Sequence, residues 1–306
     1  MAVTLDGLAV ELPKEWASAT LRKGFQESVV GKLSSSEPLP TNGKVIPIYE
    51  GGFEVGYTAE ASRKPASDVA MTFKGIEPNK FAGLLAVSKE AARANPAQML
   101  ETVQQDMINA VARQLDFGIF YGKSAISGAL IPGALPHVNQ TTSRVELDET
   151  KDLVPQFLAG YDLASAGESD PDGFAFDSRY RTRVLLASQQ QLAPAGGSSP
   201  MPNLAAATAT FGGLTAAFGR TVAGRVGASA ATDVKGFVGD WSKLRWGFSE
   251  NLQLDRSEQA SWVAADGTTH HAFQENMILY RVEFEAGWYL DPADFAAYET
   301  APVVTP

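Results

Sequence analysis

The fold is decided by two strand-like runs, Gly43-Lys-Val-Ile-Pro-Ile-Tyr-Glu-Gly51 and Val69-Ala-Met-Thr-Phe-Lys74, and by the helix that follows them. In the second run Val69, Met71 and Phe73 alternate with small or polar residues, which is the period of a half-buried strand. The stretch between the runs ends in Glu60-Ala-Ser-Arg-Lys-Pro-Ala-Ser-Asp68, which is too polar to pack into a core. The runs therefore predict a long hairpin arm with a solvated tip, and such an arm needs another surface to lie on.

A long helix is predicted directly after the arm. Asn95 is a suitable N-cap, and Pro96 suits the first helical position. Spacings of three and four place one apolar stripe on a single face: Leu100, Val103, Met107, Val111 and Leu115. Other faces carry polar residues, namely Gln104, Gln105, Asn109 and Gln114. With Gly118 and Gly122 marking its end, the helix spans about residues 96 to 117 and is roughly 30 Å long.

Composition indicates a folded protein of one large or two ordinary domains. The chain has 306 residues, 44% of them hydrophobic and 20% charged. It has no cysteine, which excludes disulfides and thiolate metal sites. The sequence lacks an apolar run of transmembrane length and a signal-peptide pattern, so we expect a cytoplasmic product. The net charge of −10 disfavours a protein whose affinity comes from neutralising phosphates.

The rest of the chain predicts further elements. A short amphipathic helix is expected from about residue 13 to 30, and another helix from about 150 to 166. A strand at 174–176, capped by Asp177 and Ser178 into a helix, indicates an α/β subdomain. The last third is rich in strands, and residues 277–289 are expected to form one long strand.

Three motifs that resemble functional sites are better explained by structure. Residues 117–124 end like a phosphate-binding loop, but a helix precedes them, so a glycine-rich helix exit is the better interpretation. His270 and His271 are adjacent and would point to opposite faces of a strand, which disfavours a metal site. Residues 170–173 resemble a calcium loop, yet Arg181 stands where an EF-hand needs glutamate. We therefore expect no metal and no cofactor, and no enzymatic activity.

The order of these parts resembles the tailed-phage major capsid proteins of the Hong Kong 97 type, over nearly the whole chain. The resemblance is carried by four features: Lys64-Pro-Ala-Ser-Asp68 on the arm, the helix from Pro96, Gly239-Asp-Trp-Ser242, and the stretch from Glu275-Asn-Met277 to Leu290-Asp-Pro292. It implies an α+β fold in six parts: an N-terminal arm (1–40), an extended loop (41–80), a peripheral domain with a spine helix (81–145), an axial domain (146–240), peripheral-domain strands (241–290) and a C-terminal segment (291–306).

The resemblance also implies a function. It predicts a structural protein that assembles into pentamers and hexamers of an icosahedral phage head around double-stranded DNA, without sequence-specific DNA binding and without a membrane. A separate scaffolding protein, a portal and decoration proteins are its implied partners. The implied location is the virion, with assembly in the host cytoplasm. Two alternatives stay open: an encapsulin-like shell around enzyme cargo, and a soluble enzyme.

A finer resemblance concerns covalent crosslinking between subunits. In a crosslinking member of this family a lysine on the arm bonds to an asparagine of a neighbouring subunit, assisted by a glutamate from a third. These roles fall on Lys64, Asn276 and Glu283 of this sequence. A lysine amine attacks only when it is neutral, so a base must take its proton. The alternative is that the arm motif is common among members that do not crosslink.

Overall fold

The structure is a computed structural model that describes residues 28–49, 57–58, 71–90, 96–133, 135–166, 169–192, 210–226, 231–249, 253–264 and 266–300. Helices and strands occur together, which agrees with the expected α+β class. Most strands belong to two sheets, one of five strands and one of six. In this part of the chain no helix is both long and apolar enough to span a membrane.

The predicted hairpin arm has a regular two-stranded stem. Strands β2 (Lys44–Tyr49) and β3 (Met71–Ile76) pair antiparallel, from Lys44 opposite Ile76 to Tyr49 opposite Met71. The polar tip at 60–68 lies outside the described residues, and with it Lys64. The stem is therefore the part of the arm from which contacts can be argued.

The beginning of the chain differs from the predicted helix at 13–30. Residues 13–27 lie outside the described residues. Ser28 has extended backbone and caps a short helix, α1 (Val29–Leu33), so no helix runs continuously through this point. Strand β1 (Glu37–Pro38) follows α1 and pairs parallel with β10 (Arg245–Phe248).

The predicted long helix is present as α2 (Pro96–Tyr121), and its 26 residues make it about 39 Å long. Met107, Val111 and Leu115 of the predicted stripe are buried. The helix continues past Gly118, which was expected to mark its end. Gly118 instead leaves room for the Trp288 ring to pack against the helix. A Cβ at residue 118 would lie 2.7 Å from that ring.

The end of α2 is set by Gly122 and by a buried glutamine. Gly122 has φ +64, a left-handed conformation that favours glycine, and its N–H donates to the Gly118 carbonyl at 2.7 Å. Gln114, which lies off the predicted apolar stripe, is also buried. Its amide accepts from the Ala125 N–H at 2.7 Å and donates to the Lys123 carbonyl at 3.3 Å, so it holds the loop after the helix.

The five-stranded sheet is organised around one long strand. Strand β14 (Met277–Tyr289) has the predicted bounds. Strand β4 (Asn79–Ser88) pairs along one of its edges, while β10 and β11 (Gln253–Ser257) share the other. One face of this sheet lies against α2, where Val87, Met107, Tyr280 and Val282 meet. A small hairpin, β12 (Ser261–Val263) with β13 (Thr269–His271), precedes β14.

The six-stranded sheet has the order β5, β15, β9, β6, β8, β7. In the same order its strands span Arg144–Leu147, Phe295–Thr300, Val234–Gly239, Gly173–Asp177, Leu214–Gly219 and Thr210–Phe211. The predicted second helix is α3 (Leu153–Ala164), capped by Asp152. The predicted strand, cap and helix are also confirmed, since β6 leads through Asp177 and a 3-10 turn into α4 (Arg181–Leu192).

The C-terminal strand lies where the sequence did not place it. Residues 291–306 were expected as a separate segment, but β15 is an inner strand of the six-stranded sheet, parallel to β5 and antiparallel to β9. Its first four residues, Phe295-Ala-Ala-Tyr298, are fully buried. The chain therefore returns to the sheet built by residues 144–239 after completing the five-stranded sheet.

Gly160 tests how tightly α3 packs on β15. A Cβ at residue 160 would overlap the Tyr298 ring, and that ring cannot withdraw because its hydroxyl donates to the Phe157 carbonyl at 2.6 Å. We expect Gly160→Ala to destabilise the fold by about 1–3 kcal/mol, the usual cost of overpacking, although alanine is otherwise favoured in helices. Urea unfolding measures the difference.

The matched control is Gly83→Ala, because no atom lies within 4 Å of a Cβ placed at residue 83. This control should leave the midpoint of unfolding nearly unchanged. Equal stability of Gly160→Ala and the wild type would contradict the packing described here.

Candidate functional site

The hairpin stem presents an apolar face that no described residue of its own chain covers. Cross-strand partners share a face, and the pairs Val45–Gly75 and Pro47–Phe73 place their side chains on the same side as Met71. Val45 is 64% exposed, Met71 57% and Phe73 66%. We call Val45, Pro47, Met71 and Phe73 the apolar face of the hairpin. Contiguous exposed apolar surface of this kind marks an interaction site.

A buried carboxylate fastens the first described residues to the long helix. Asp116 lies on α2 and is 3% exposed. It accepts from the Ser28 hydroxyl, from the Val29 N–H at 2.9 Å and from the Val30 N–H at 3.2 Å. The Thr221 hydroxyl donates to it at 3.1 Å. One side chain thus joins α1, α2 and the 3-10 turn that follows β8.

Hydrogen bonds, rather than an ion pair with a described residue, hold the Asp116 carboxylate. Burial raises the pKa of Asp116, while the hydrogen bonds from Ser28, Val29, Val30 and Thr221 act in the opposite direction. No ion pair to it occurs among the described residues. The four donors compensate for the loss of water around the carboxylate, so the site depends on all three elements being in place.

The proposed crosslink residues are separated in one subunit. Lys64 lies outside the described residues. Asn276 is exposed and lies in the turn before β14 with φ 52, a left-handed conformation. Glu283 lies within β14, seven residues further on, which is about 23 Å along a strand. Asn276 and Glu283 of one chain therefore cannot meet the same lysine.

Glu283 is already engaged in its own subunit. It forms ion pairs with Lys80 at 2.9 Å and with Arg281 at 3.5 Å, and its side chain is 15% exposed. To accept a proton from a lysine it would first have to release these cations.

The helix exit and the two histidines lie in ordinary structural elements, with the histidines on β13. Residues 117–124 form the helix exit described above. His270 stacks on Trp262 with ring centroids 5.0 Å apart and pairs with Glu275 at 2.8 Å, while His271 bonds to Ser261 at 2.7 Å. Across the described ranges no group of three or more metal-ligating side chains occurs.

Sequence reasoning missed the Asp116 cluster. The only signal was local: Asp116 is the one charged residue in an otherwise apolar run from Leu115 to Tyr121. A charge inside an apolar run is expensive to bury unless it is paired. The run predicts that a partner exists but not that the partner is Ser28, which lies 88 residues away.

Comparisons with known proteins agree with one another. The profile of the phage capsid family matches residues 9–299. A probable major capsid protein of Mycobacterium phage D29 is 26% identical over 297 residues, which cover 92% of this chain and 87% of that relative. A solved structure from Gordonia phage Cozz has a TM-score of 0.72 and 26% identity, covering 90% of this chain and 87% of that one. A structure from Mycobacterium phage Ogopogo has a TM-score of 0.70 at 24% identity, covering 90% and 92%, and supports the fold alone.

Replacing the buried carboxylate tests its role. Asp116→Ala would leave four buried donors without an acceptor. We expect a loss of at least about 1–3 kcal/mol of unfolding free energy, which is the cost of one such donor. Urea unfolding of the unassembled chain measures it.

The exposed Asp106 on the same helix supplies the control. Asp106→Ala should change the unfolding free energy by no more than about 0.5 kcal/mol, as is usual for surface substitutions. If both variants behave like wild type, Asp116 does not fasten α1.

Proposed function

The chain belongs to the phage capsid family, because that family's profile matches residues 9–299, and we propose that it is the major capsid protein of a tailed phage. In this proposal it assembles into pentamers and hexamers, which close into an icosahedral head around double-stranded DNA. The apolar face of the hairpin carries the proposal, since it is a contact surface that the described part of its own subunit leaves exposed. The family is a structural one, so the role is construction rather than catalysis.

The hairpin contact would supply much of the association energy. Burying a side chain of this kind fully stabilises by about 1.5–3 kcal/mol. Val45, Met71 and Phe73 are each more than half exposed, so a neighbouring subunit that covered them would gain a contribution from each. Many copies of a modest contact are enough to hold a closed shell.

The parts of the chain take proposed roles in the shell. Residues 1–40 form the N-terminal arm and 41–80 the extended loop. Residues 81–145 and 241–290 contribute to a peripheral domain, which fits the five-stranded sheet and α2. Residues 146–240 form the axial domain at the centre of the capsomer, and β15 belongs to its sheet.

The proposed partners follow from the same role. The acidic balance of −10 suits a shell that encloses DNA without binding a particular sequence. A separate scaffolding protein, a portal and decoration proteins would act during assembly in the host cytoplasm, and the finished protein would reside in the virion. The match to the phage capsid family favours this role over an encapsulin-like compartment or a soluble enzyme.

Crosslinking is the chemical part of the proposal. The neutral Lys64 amine would attack the side-chain carbonyl of Asn276 in a neighbouring subunit. The new C–N bond replaces the bond to the amide nitrogen, which leaves as ammonia, and Glu283 of a third subunit would relay the proton. The exposure of Asn276 supports access by a foreign lysine. The separation of Asn276 from Glu283 fits contributions from different subunits.

Charge placed on the apolar face of the hairpin should prevent assembly. We expect Met71→Glu with Phe73→Lys to leave the circular dichroism spectrum of the chain unchanged, since both residues are exposed. Electron microscopy of the expressed protein, with its scaffold where one is required, should then show no closed shells.

Lys74→Ala is the control, because Lys74 pairs with Ile46 and so lies on the opposite face of the stem. It should assemble like wild type. Normal shells from the Met71 and Phe73 variant would contradict the proposed contact.

Denaturing gel electrophoresis of mature particles tests crosslinking. Bonded subunits should run as a ladder of multimers, and Lys64→Arg should remove that ladder while shells still form. A single wild-type band near 32.6 kDa would rule the bond out.

A further inference from the structure

A groove of about 1260 Å³ lies between α2, the β4 and β14 face of the five-stranded sheet, and the residues after β8. Small-ligand sites usually hold about 300–1,000 Å³, so this groove is large enough for a length of polypeptide. Val29 of α1 is one of its lining residues. The chain therefore enters the described structure at the wall of the groove.

The groove offers apolar surface that its own subunit does not cover within the described residues. Leu84 is 60% exposed, Leu85 36% and Ile126 74%, and all three line it. Phe81 and Phe284 stack with centroids 5.2 Å apart and also line it. A segment with several large apolar side chains is the occupant that such a surface fits.

The charges of the groove favour an acidic occupant. Arg113 and Arg220 are exposed lining residues, and neither has an ion-pair partner among the described residues. Lys80 and Arg225 also line the groove but are paired with Glu283 and Asp177. The lining acids are two, Asp116 and Asp106. Asp116 is buried in its own hydrogen bonds, so two free cations face one exposed acid.

We propose that residues 1–16 of the same chain occupy this groove. Their sequence, Met-Ala-Val-Thr-Leu-Asp-Gly-Leu-Ala-Val-Glu-Leu-Pro-Lys-Glu-Trp, contains three acids and one lysine among repeated apolar residues. It thus matches the groove in both hydrophobicity and charge. The inference rests on the proposed role of residues 1–40 as an arm, and it gives the outer part of that arm a binding site.

The connection is long enough and keeps the segment close. Residues 17–27 join it to Ser28, and an extended chain spans at most about 3.3–3.6 Å per residue, or roughly 40 Å here. This is about the length of α2, so the segment reaches any part of the groove. Tethering through a short linker gives an effective concentration in the millimolar range, so modest affinity suffices.

The hairpin of a second copy fits the groove less well. Its stem also offers apolar side chains, but its described charges are Lys44 and Lys74, with no acid. Both lysines lie on the face of the stem opposite its apolar side chains, and Lys44 is paired with Glu37. A stem docked through its apolar face would therefore leave Arg113 and Arg220 without a counter-ion, whereas residues 1–16 supply acids.

Cysteine crosslinking in the full chain tests the proposal, since the natural sequence has no cysteine to compete. Leu8→Cys is combined with Ala110→Cys, an exposed position on the groove wall. The control combines Leu8→Cys with Ala159→Cys, an exposed position on α3 that does not line the groove. After treatment with a short bismaleimide, mass spectrometry of mixed isotope-labelled and unlabelled chains separates bonds within one chain from bonds between chains.

We expect the groove pair to crosslink within one chain about tenfold or more above the control pair, because only bound residues share a high local concentration. Arg113→Glu with Arg220→Glu should lower the yield, and adding Asp6→Lys with Glu11→Lys should restore it. Equal yields for the two pairs, no crosslink, or crosslinks only between chains would each overturn the proposal. Electron microscopy of the same samples keeps the two proposals apart: shells without the groove crosslink leave the proposed function standing.

Discussion

The hydrogen bonds to Asp116 are the constraint on which the arrangement of the elements depends. A buried carboxylate is costly unless donors surround it, and here the donors come from α1 and from the turn after β8. The long helix therefore cannot take its place without fixing both. This single side chain fixes α1 and the turn after β8 against α2, and all three elements contribute to the wall of the groove.

Local sequence patterns were sufficient to predict those helices and strands that show a clear hydrophobic pattern of their own. The apolar stripe predicted α2, and the bounds of β14 were predicted from its continuous run. The partners of side chains far apart in sequence could not be predicted in this way. From the sequence alone Gly118 predicts a helix end, and only the fold shows that it makes room for Trp288. The tail at 291–306 looked separate because nothing local shows that β15 pairs with β5 and β9. The same holds for the candidate site. The alternating pattern of the hairpin predicted an arm that needs another surface, whereas the hydrogen-bond partners of Asp116 could be identified only from the fold.

Two apolar surfaces of this chain, the apolar face of the hairpin and the groove beside α2, differ in the charges around them. The apolar face of the hairpin belongs to a stem whose described strands carry no acid, whereas the groove is apolar and has two arginines without an ion-pair partner among the described residues. The described stem therefore offers no counter-ion to these arginines, and we assign the two surfaces to different occupants. In the proposed shell the hairpin serves contacts between subunits, and the groove holds the subunit's own first residues. Such a division would cover the groove within one subunit and the apolar face of the hairpin only on assembly.

The central claim is that the apolar face of the hairpin becomes an intersubunit contact in a closed shell. An electron cryomicroscopy map of particles formed by the full chain tests it most directly. The account predicts that Val45, Met71 and Phe73 are buried against a neighbouring subunit. A shell in which these side chains face solvent would contradict it.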